Sequence, residues 1–84
     1  MPPSVPDPAH ARVLDARGMF CPVPIIETAK AVKTMATGEV LLVRGTDPGI
    51  ESDMPAWCKS TRHELVELRR EGAELRAWVR KAHG

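Results

Sequence analysis

The chain has 84 residues, 43% of them hydrophobic, and its twelve basic and eleven acidic side chains give a net charge of +1. This length suffices for one small domain, and the hydrophobic content excludes a wholly disordered chain. The balanced charge argues against a dedicated nucleic-acid-binding protein, which is usually strongly basic. No apolar run is long enough to span a membrane and the N-terminus lacks a secretory pattern, so we expect a cytoplasmic protein.

The two cysteines, Cys21 and Cys58, lie far apart in the sequence. In a chain without a secretory signal they predict reduced thiols rather than a disulfide framework. Neither has a second Cys or a pair of His close by, as a zinc site would require. We therefore expect neither a metal ion nor a cofactor.

The first ten residues contain four of the eight prolines. Proline fixes φ and lacks an N–H donor, so this segment cannot form a helix or an inner strand. We expect a flexible proline-rich tail over residues 1–11 and a single folded domain over residues 12–82.

The first half of the domain reads as a strand followed by a helix. Ala11 to Ala16 predicts a short strand with two apolar residues at its centre. Pro22 to Ala36 predicts a helix that ends before Gly38, because apolar residues recur at helical spacing. The predicted apolar face consists of Ile25, Ala29, Val32 and Ala36.

Glu39 to Arg44 contains four consecutive apolar residues that favour β-structure, which predicts a buried central strand. Ile50 to Arg62 has apolar residues on one helical face. Pro55 removes an amide donor inside that helix, and we expect a break there.

His63 to Arg70 and Ala73 to Lys81 flank Glu71-Gly72, which predicts a β-hairpin. In the second strand apolar residues alternate with polar ones, except that Trp78 falls on the polar side. We interpret that side as a solvated sheet face; the alternative is a surface for a partner or RNA formed by Trp78 with Arg76 and Arg80. The order β-α-β-α-β-β predicts an α+β fold: a two-layer sandwich with a mixed four-stranded sheet and two helices on one face.

Cys21 stands where the loop after the first strand becomes the first helix. With Cys21 at the N-cap, Pro22 and Pro24 take positions N1 and N3, where a missing N–H costs no hydrogen bond. The Val23 amide is then the donor best placed to meet the sulfur. The helix dipole is expected to lower the thiol pKa and increase the thiolate fraction.

Two residues before this cysteine are predicted to support it. Gly18 permits a turn, and Arg17 adds positive charge if its loop folds back. No general base is evident, since His63 is the only histidine inside the predicted domain and it follows the other helix. An isolated thiolate can still accept and donate sulfur as a persulfide.

Several residues have alternative interpretations. From Cys21-Pro22 alone, a reactive thiol and a small buried cysteine are equally supported. Cys58 is expected to be buried and structural, although a Cys21–Cys58 disulfide in a redox sensor is an alternative. Asp47 either caps the second helix, which we favour, or faces Cys21. Met19 and Phe20 belong either to the core or to an exposed docking patch.

The run from Leu14 to Pro24 resembles the motif of the TusA/SirA-like sulfur-carrier family, with Leu-Asp, a glycine and Cys-Pro-x-Pro in this order. Asp47-Pro48 and the stretch from Asp53 to Cys58 are also similar to that family. The resemblance extends over about residues 12 to 81. Phe20 and Val23 depart from it, because polar residues are frequent at these two positions.

This resemblance implies the same β-α-β-α-β-β sandwich and a sulfur carrier rather than a stand-alone catalyst. Cys21 would accept sulfane sulfur as a persulfide from a cysteine desulfurase or a rhodanese-type donor. It would pass the sulfur to an acceptor protein, towards tRNA thiolation, cofactor biosynthesis or sulfur oxidation. Stable nucleic-acid binding is not expected. The alternative is a non-catalytic interaction module with a structural Cys21.

Overall fold

A computed structural model describes residues 12–84. The elements follow the predicted order, and neither helix in these residues is long and apolar enough to cross a membrane. The proline-rich tail predicted for residues 1–11 lies outside the described residues. The elements are β1 (Arg12–Ala16), α1 (Val23–Lys33), β2 (Val40–Gly45), α2 (Ile50–Thr61), β3 (Glu64–Glu71) and β4 (Glu74–Arg80).

The four strands form one mixed sheet in the order β1-β2-β4-β3. β1 pairs with β2 in parallel, while β4 is antiparallel to both β2 and β3. The parallel pair requires a crossover, which α1 provides. The last residues of β1 and β2, Ala16 and Gly45, are partners in the register. The loops that follow β1 and β2 therefore start at the same end of the sheet.

The hydrophobic core lies between the sheet and the two helices, as predicted. β2 supplies its centre because Leu41 and Val43 point to the helix side and are almost fully buried. Cys58 is also in this core at 4% exposure, which confirms a buried structural cysteine, and burial raises the pKa of its thiol to about 11. The core residues are Ala16, Val32, Met35, Leu41, Val43, Ile50, Met54, Cys58, Leu75, Ala77 and Val79.

α1 is shorter than predicted and turns a different face to the core. It ends at Lys33, because both the amide and the hydroxyl of Thr34 donate to the Ala31 carbonyl (3.0 and 2.8 Å) and close the last turn. Its fully buried residues are Pro24, Thr28 and Val32. Thr28 tolerates this burial because its hydroxyl donates to the Pro24 carbonyl at 2.8 Å.

α2 runs through Pro55 without a break, so the predicted interruption is wrong. Proline removes one backbone hydrogen bond, the one that would reach the carbonyl of Glu51. Glu51 is exposed, so water can satisfy this carbonyl. Ile50, Met54 and Cys58 anchor the helix in the core on both sides of the proline.

The β3–β4 hairpin forms as predicted, with its turn one residue later. The strands end and begin at Glu71 and Glu74, and Gly72 takes a φ of +63° in the turn. Positive φ is a conformation that glycine adopts readily, which explains this residue at the turn.

Trp78 is buried at 2% exposure, so the predicted solvated sheet face is wrong at this position. It lies on the sheet face away from the helices, between Leu42 and Glu67 in the register. The guanidinium of Arg69 lies 5.1 Å from the ring centroid, a cation–π contact that helps to cover the indole. The alternation in β4 therefore correctly predicts which residues share a sheet face, but it does not predict that Trp78 on the second face is buried.

Candidate functional site

Cys21 lies in the loop between β1 and α1, at the end of the sheet where β1 and β2 both finish. Gly18 has a φ of +81° in this loop, which confirms the predicted turn. The Gly18 amide donates to the hydroxyl of Thr46 at 3.0 Å. This bond connects the loop that carries the cysteine to the loop between β2 and α2.

The helix start differs from the predicted register by one residue. Pro22 is the N-cap and Pro24 lies at N2, and the Cys21-Pro22 peptide bond is cis. Both prolines still occupy positions where a helix needs no N–H donor, so their role in defining the helix start is as predicted. Cys21 itself lies one residue before the cap.

The amides of the first turn of α1 already have partners. The Val23 amide donates to the Phe20 carbonyl at 2.9 Å, so the predicted bond from Val23 to the cysteine sulfur is wrong. The Ile25 and Ile26 amides both donate to the Pro22 carbonyl at 3.0 Å. Pro24 has no amide. The start of α1 therefore offers the sulfur no free N–H group.

Asp47 joins the cysteine loop to the start of α2. Its Oδ2 accepts a hydrogen bond from the Cys21 amide at 2.6 Å, and its Oδ1 accepts one from the Gly49 amide at 3.0 Å. The interpretation that Asp47 faces Cys21 is therefore confirmed. The favoured one, a side-chain cap on α2, is wrong, because the N-cap is Gly49 and no side chain caps the helix; Asp47 binds the amide of the N-cap residue instead.

Gly49, the N-cap of α2, leaves the space that the cysteine side chain occupies. A Cβ atom at Gly49 would lie 3.3 Å from the Cys21 Sγ and 3.5 Å from the Cys21 Cβ. The first amides of α2 have partners as well, because Ile50 and Glu51 donate to the carbonyls of Asp47 and Pro48 at 3.1 Å each. The sulfur therefore meets a second helix start without a free donor.

These surroundings raise the pKa of Cys21 to about 12, so the predicted lowering of the thiol pKa is wrong. Burial is the largest cause, and hydrogen bonding to Asp53 and the negative charges of Asp47 and Asp53 add to it. A thiolate here would lose contact with water and stand beside two carboxylates. Both effects favour the neutral thiol of Cys21 over its thiolate.

Arg17 does not offset these negative charges. Its guanidinium binds the carboxylate of Asp15 through two hydrogen bonds of 2.8 Å. This pair holds the pKa of Asp15 well below its usual range. Arg17 therefore neutralises Asp15 and does not supply the positive charge that was predicted for Cys21.

The surface beside Cys21 is apolar. Phe20, Val23 and Ile26 are exposed at 78%, 44% and 47%. Met19, by contrast, is half-buried and packs against the core. The alternatives for Met19 and Phe20 therefore divide: the first is a core residue and the second is part of an exposed apolar surface, which we call the Phe20 surface together with Val23 and Ile26.

The comparison with protein families identifies the chain. A family model described as "Sulfurtransferase TusA" matches residues 12–81. The chain belongs to the TusA sulfurtransferase family. The predicted resemblance to the TusA/SirA-like sulfur carriers is thereby confirmed, together with the extent over which it was expected.

Two relatives of this TusA-family chain come from Bacillus subtilis (strain 168). The protein named "Putative sulfur carrier protein YrkI" is 44% identical over 70 residues, which are 83% of this chain and 93% of the relative. The protein named "Putative sulfur carrier protein YrkF" is 48% identical over 69 residues, which are 82% of this chain and 37% of the relative. The chain thus spans nearly all of YrkI but about a third of YrkF.

A crystal structure of a SirA-like protein from Desulfitobacterium hafniense has the same fold. The two structures superpose with a TM-score of 0.72 at 18% sequence identity, and the match covers 84% of this chain and 97% of the other. The α+β fold with two helices and a mixed four-stranded sheet is therefore confirmed for this TusA-family chain.

Asp53 and Gly49 are the residues beside Cys21 that sequence reasoning did not place at the site of this TusA-family protein. The available signal was the parallel β1–β2 pair, because the loops after two adjacent parallel strands meet at one end of the sheet. Asp53 lies one helical turn after Gly49 in α2, and its amide donates to the Gly49 carbonyl at 2.9 Å. Within residues 12–84, no group of three or more His, Cys, Asp or Glu is arranged to hold a metal ion.

Proposed function

We propose that this chain is a cytoplasmic sulfur carrier that accepts sulfane sulfur as a persulfide on Cys21 and passes it to an acceptor protein. The family and the names of the two Bacillus relatives support the carrier role. The observation that carries the choice of residue is the position of Cys21, between two helix starts and next to the exposed Phe20 surface. Cys58, with 4% exposure, is closed to a partner protein.

The loading step is a thiol–persulfide exchange. The Cys21 sulfur attacks the outer sulfur of a donor persulfide, R–S–SH, which forms one S–S bond and breaks another. The donor leaves as a thiolate and takes up the proton that Cys21 loses, so the products are Cys21–S–SH and R–SH. The reverse reaction with an acceptor thiol unloads the carrier. Neither step needs a cofactor, an outside oxidant or a reductant.

The Phe20 surface would provide the contact that brings donor or acceptor to Cys21. A carrier without its own catalytic base depends on its partners for the chemistry, and an exposed apolar patch beside the reactive atom suits protein docking. His63 and His83 stack on each other at the C-terminal end of α2, where His83 binds the Thr61 carbonyl, whereas Cys21 lies at the start of that helix, so neither ring is placed to act as the base. A cysteine desulfurase or a rhodanese-type protein would be the donor.

The test is sulfur loading followed by intact mass. The protein is incubated with a cysteine desulfurase and cysteine, or with polysulfide, and its mass is measured before and after a reductant. We expect a reducible adduct of the mass of sulfur on the native chain and on Cys58→Ala, and none on Cys21→Ser. An adduct that survives in Cys21→Ser and disappears in Cys58→Ala would overturn the assignment.

The second candidate is a non-catalytic interaction module with a structural Cys21, and the raised pKa of Cys21 favours it. The same experiment separates the two functions. A module of this kind would take up no sulfur under any of these conditions, even though its fold and its Phe20 surface are intact.

A further inference from the structure

Two consecutive side chains of the loop between β2 and α2 hold the loop that carries Cys21. The hydroxyl of Thr46 accepts a hydrogen bond from the Gly18 amide at 3.0 Å, and the carboxylate of Asp47 accepts one from the Cys21 amide at 2.6 Å. One of these amides lies in the turn after β1 and the other belongs to the cysteine itself. The cysteine loop is therefore held at two points by the loop that follows the adjacent strand.

Asp47 is itself held in place by the start of α2. Its Oδ1 accepts a hydrogen bond from the Gly49 amide, and its main-chain carbonyl accepts one from the Ile50 amide at 3.1 Å. Ile50 is 1% exposed and belongs to the hydrophobic core, so these bonds connect Asp47 to a closely packed part of the molecule. The bond from the Cys21 amide to this carboxylate is charge-assisted, a kind of hydrogen bond about twice as strong as a neutral one.

Phe20 lies between the two held amides and is 78% exposed, which makes it the most exposed residue of the Phe20 surface. The bonds to Thr46 and Asp47 therefore fix the backbone on both sides of this aromatic residue as well as the position of Cys21. A protein that transfers sulfur has to contact the Phe20 surface and reach the Sγ in one bound geometry. A small sulfur donor has to reach only the Sγ.

We propose that Thr46 and Asp47 are positioning residues that order the cysteine loop before a partner protein binds, and that they serve transfer between proteins rather than the reactivity of the sulfur. This inference rests on the proposed persulfide function and concerns how a protein donor is recognised at the same site. A loop that becomes ordered only during binding weakens the complex, because the entropy lost in ordering is subtracted from the binding free energy. Bonds formed during folding order this loop beforehand.

The experiment measures the initial rate of sulfur loading from a protein donor and from a small donor, both followed by intact mass. The protein donor is a cysteine desulfurase or a rhodanese-type protein charged with sulfur, assayed over a range of carrier concentrations so that kcat and KM for the carrier are separated. The small donor is inorganic polysulfide. The main variant is Thr46→Val, because it removes a hydroxyl but no charge, and this hydroxyl binds Gly18 rather than the cysteine. Thr46→Ser keeps the hydroxyl.

Asp47→Ala is the second variant, because it removes the acceptor of the Cys21 amide itself. The matched control is Ser52→Ala, since the Ser52 hydroxyl lies in the first turn of α2 but donates to the Gly49 carbonyl, at 3.2 Å, instead of binding the cysteine loop. Thermal melts establish that each variant is folded at the temperature of the assay.

With the protein donor we expect kcat/KM to fall about threefold to tenfold in Thr46→Val and at least about tenfold in Asp47→Ala, the usual effects of losing a neutral and a charge-assisted hydrogen bond. The change should lie in KM more than in kcat, because the loop then becomes ordered during binding. Thr46→Ser and Ser52→Ala should stay within about twofold of the native chain. With polysulfide, no variant should load more slowly than the native chain.

Several results would overturn the proposal. Thr46→Val and Asp47→Ala could load from the protein donor with the native kcat/KM, or Thr46→Ser could be as impaired as Thr46→Val. Loading from polysulfide could fall as far as loading from the protein donor, which would place the effect at the sulfur or in the fold. The proposal is also wrong if the native chain loads from polysulfide but from neither protein donor. Failure of the proposed function is a separate result, because the native chain itself would then take up sulfur from none of the donors, and both proposals would be wrong.

Discussion

Because Gly45 has no side chain, the start of α2 can pack closely against the end of β2. Gly45 ends β2, it is buried, and a Cβ atom at this position would overlap the Cδ1 methyl of Ile50, the first residue of α2. The Cγ1 atom of Ile50 would lie 3.7 Å away, an ordinary contact, so the conflict is confined to one methyl group. That methyl cannot swing into solvent, because Ile50 is 1% exposed.

Gly45→Ala should therefore lower the free energy of unfolding by about 1–3 kcal/mol, the usual cost of an extra methyl group in a packed core. In a domain of this size each kcal/mol lowers Tm by about 4–8 °C. Ile50→Val removes the Cδ1 methyl and alone should cost about 0.5–1.5 kcal/mol. In the double variant the new methyl group occupies the space of the lost one, so its stability should be no lower than that of Ile50→Val.

The assay is urea unfolding and thermal unfolding of the native chain, both single variants and the double variant, analysed as a double-mutant cycle. The overlap argument requires a favourable coupling energy of about 1 kcal/mol or more. If the two costs simply add, or if Gly45→Ala unfolds within 2 °C or so of the native chain, the close approach of β2 and α2 does not have the stated cause.

Two further predictions concern the site and the far sheet face. Gly49→Ala should slow sulfur loading of Cys21 because the new Cβ crowds the Sγ, yet leave stability within about 1 kcal/mol since its φ of −59° suits alanine. Gly72→Ala, at a φ of +63°, should lower stability and leave sulfur loading unchanged. A loading assay and thermal melts of both variants check this. Arg44 and Arg76 lower the pKa of Glu74 from 4.5 to about 2. The ion pairs of Glu74 with these two arginines therefore stabilise the fold above pH 4.5, and their contribution is lost as the pH falls towards 2. The Tm difference between the native chain and Glu74→Gln should shrink accordingly as the pH falls.

The order of elements was predictable because it depends on local patterns. The four apolar residues from Val40 to Val43 favour a buried strand, and Gly72 marks the hairpin turn because glycine readily takes positive φ. Pro55 misled the prediction because the local rule counts the lost hydrogen bond but not the core contacts of Met54 and Cys58, on either side of the proline in the continuous helix. Trp78 misled it for a related reason: alternation identifies a face, whereas burial depends on the neighbours across the sheet.

The position of the candidate residue was predictable, but its electrostatics were not. Gly18 and the two prolines are local features, and they lie in the predicted turn and, with a shift of one residue, at the predicted helix start next to Cys21. Asp53 belongs to a different element, and only the parallel pairing of β1 with β2 brings α2 to the cysteine. Charges that converge through topology leave no local pattern in the sequence.

The pKa of Cys21 shows what a helix start needs in order to stabilise an anion. The dipole argument assumes free N–H groups near the sulfur, since the partial positive charge of a helix start resides on those groups. Here the Val23 amide binds the Phe20 carbonyl, and the Gly49 amide binds Asp47. The Asp47 carboxylate thus accepts the hydrogen bond from the helix start that an anionic sulfur would need. A cysteine held in this way is positioned through its backbone amide, while neither helix start offers its sulfur an N–H donor that would stabilise a negative charge.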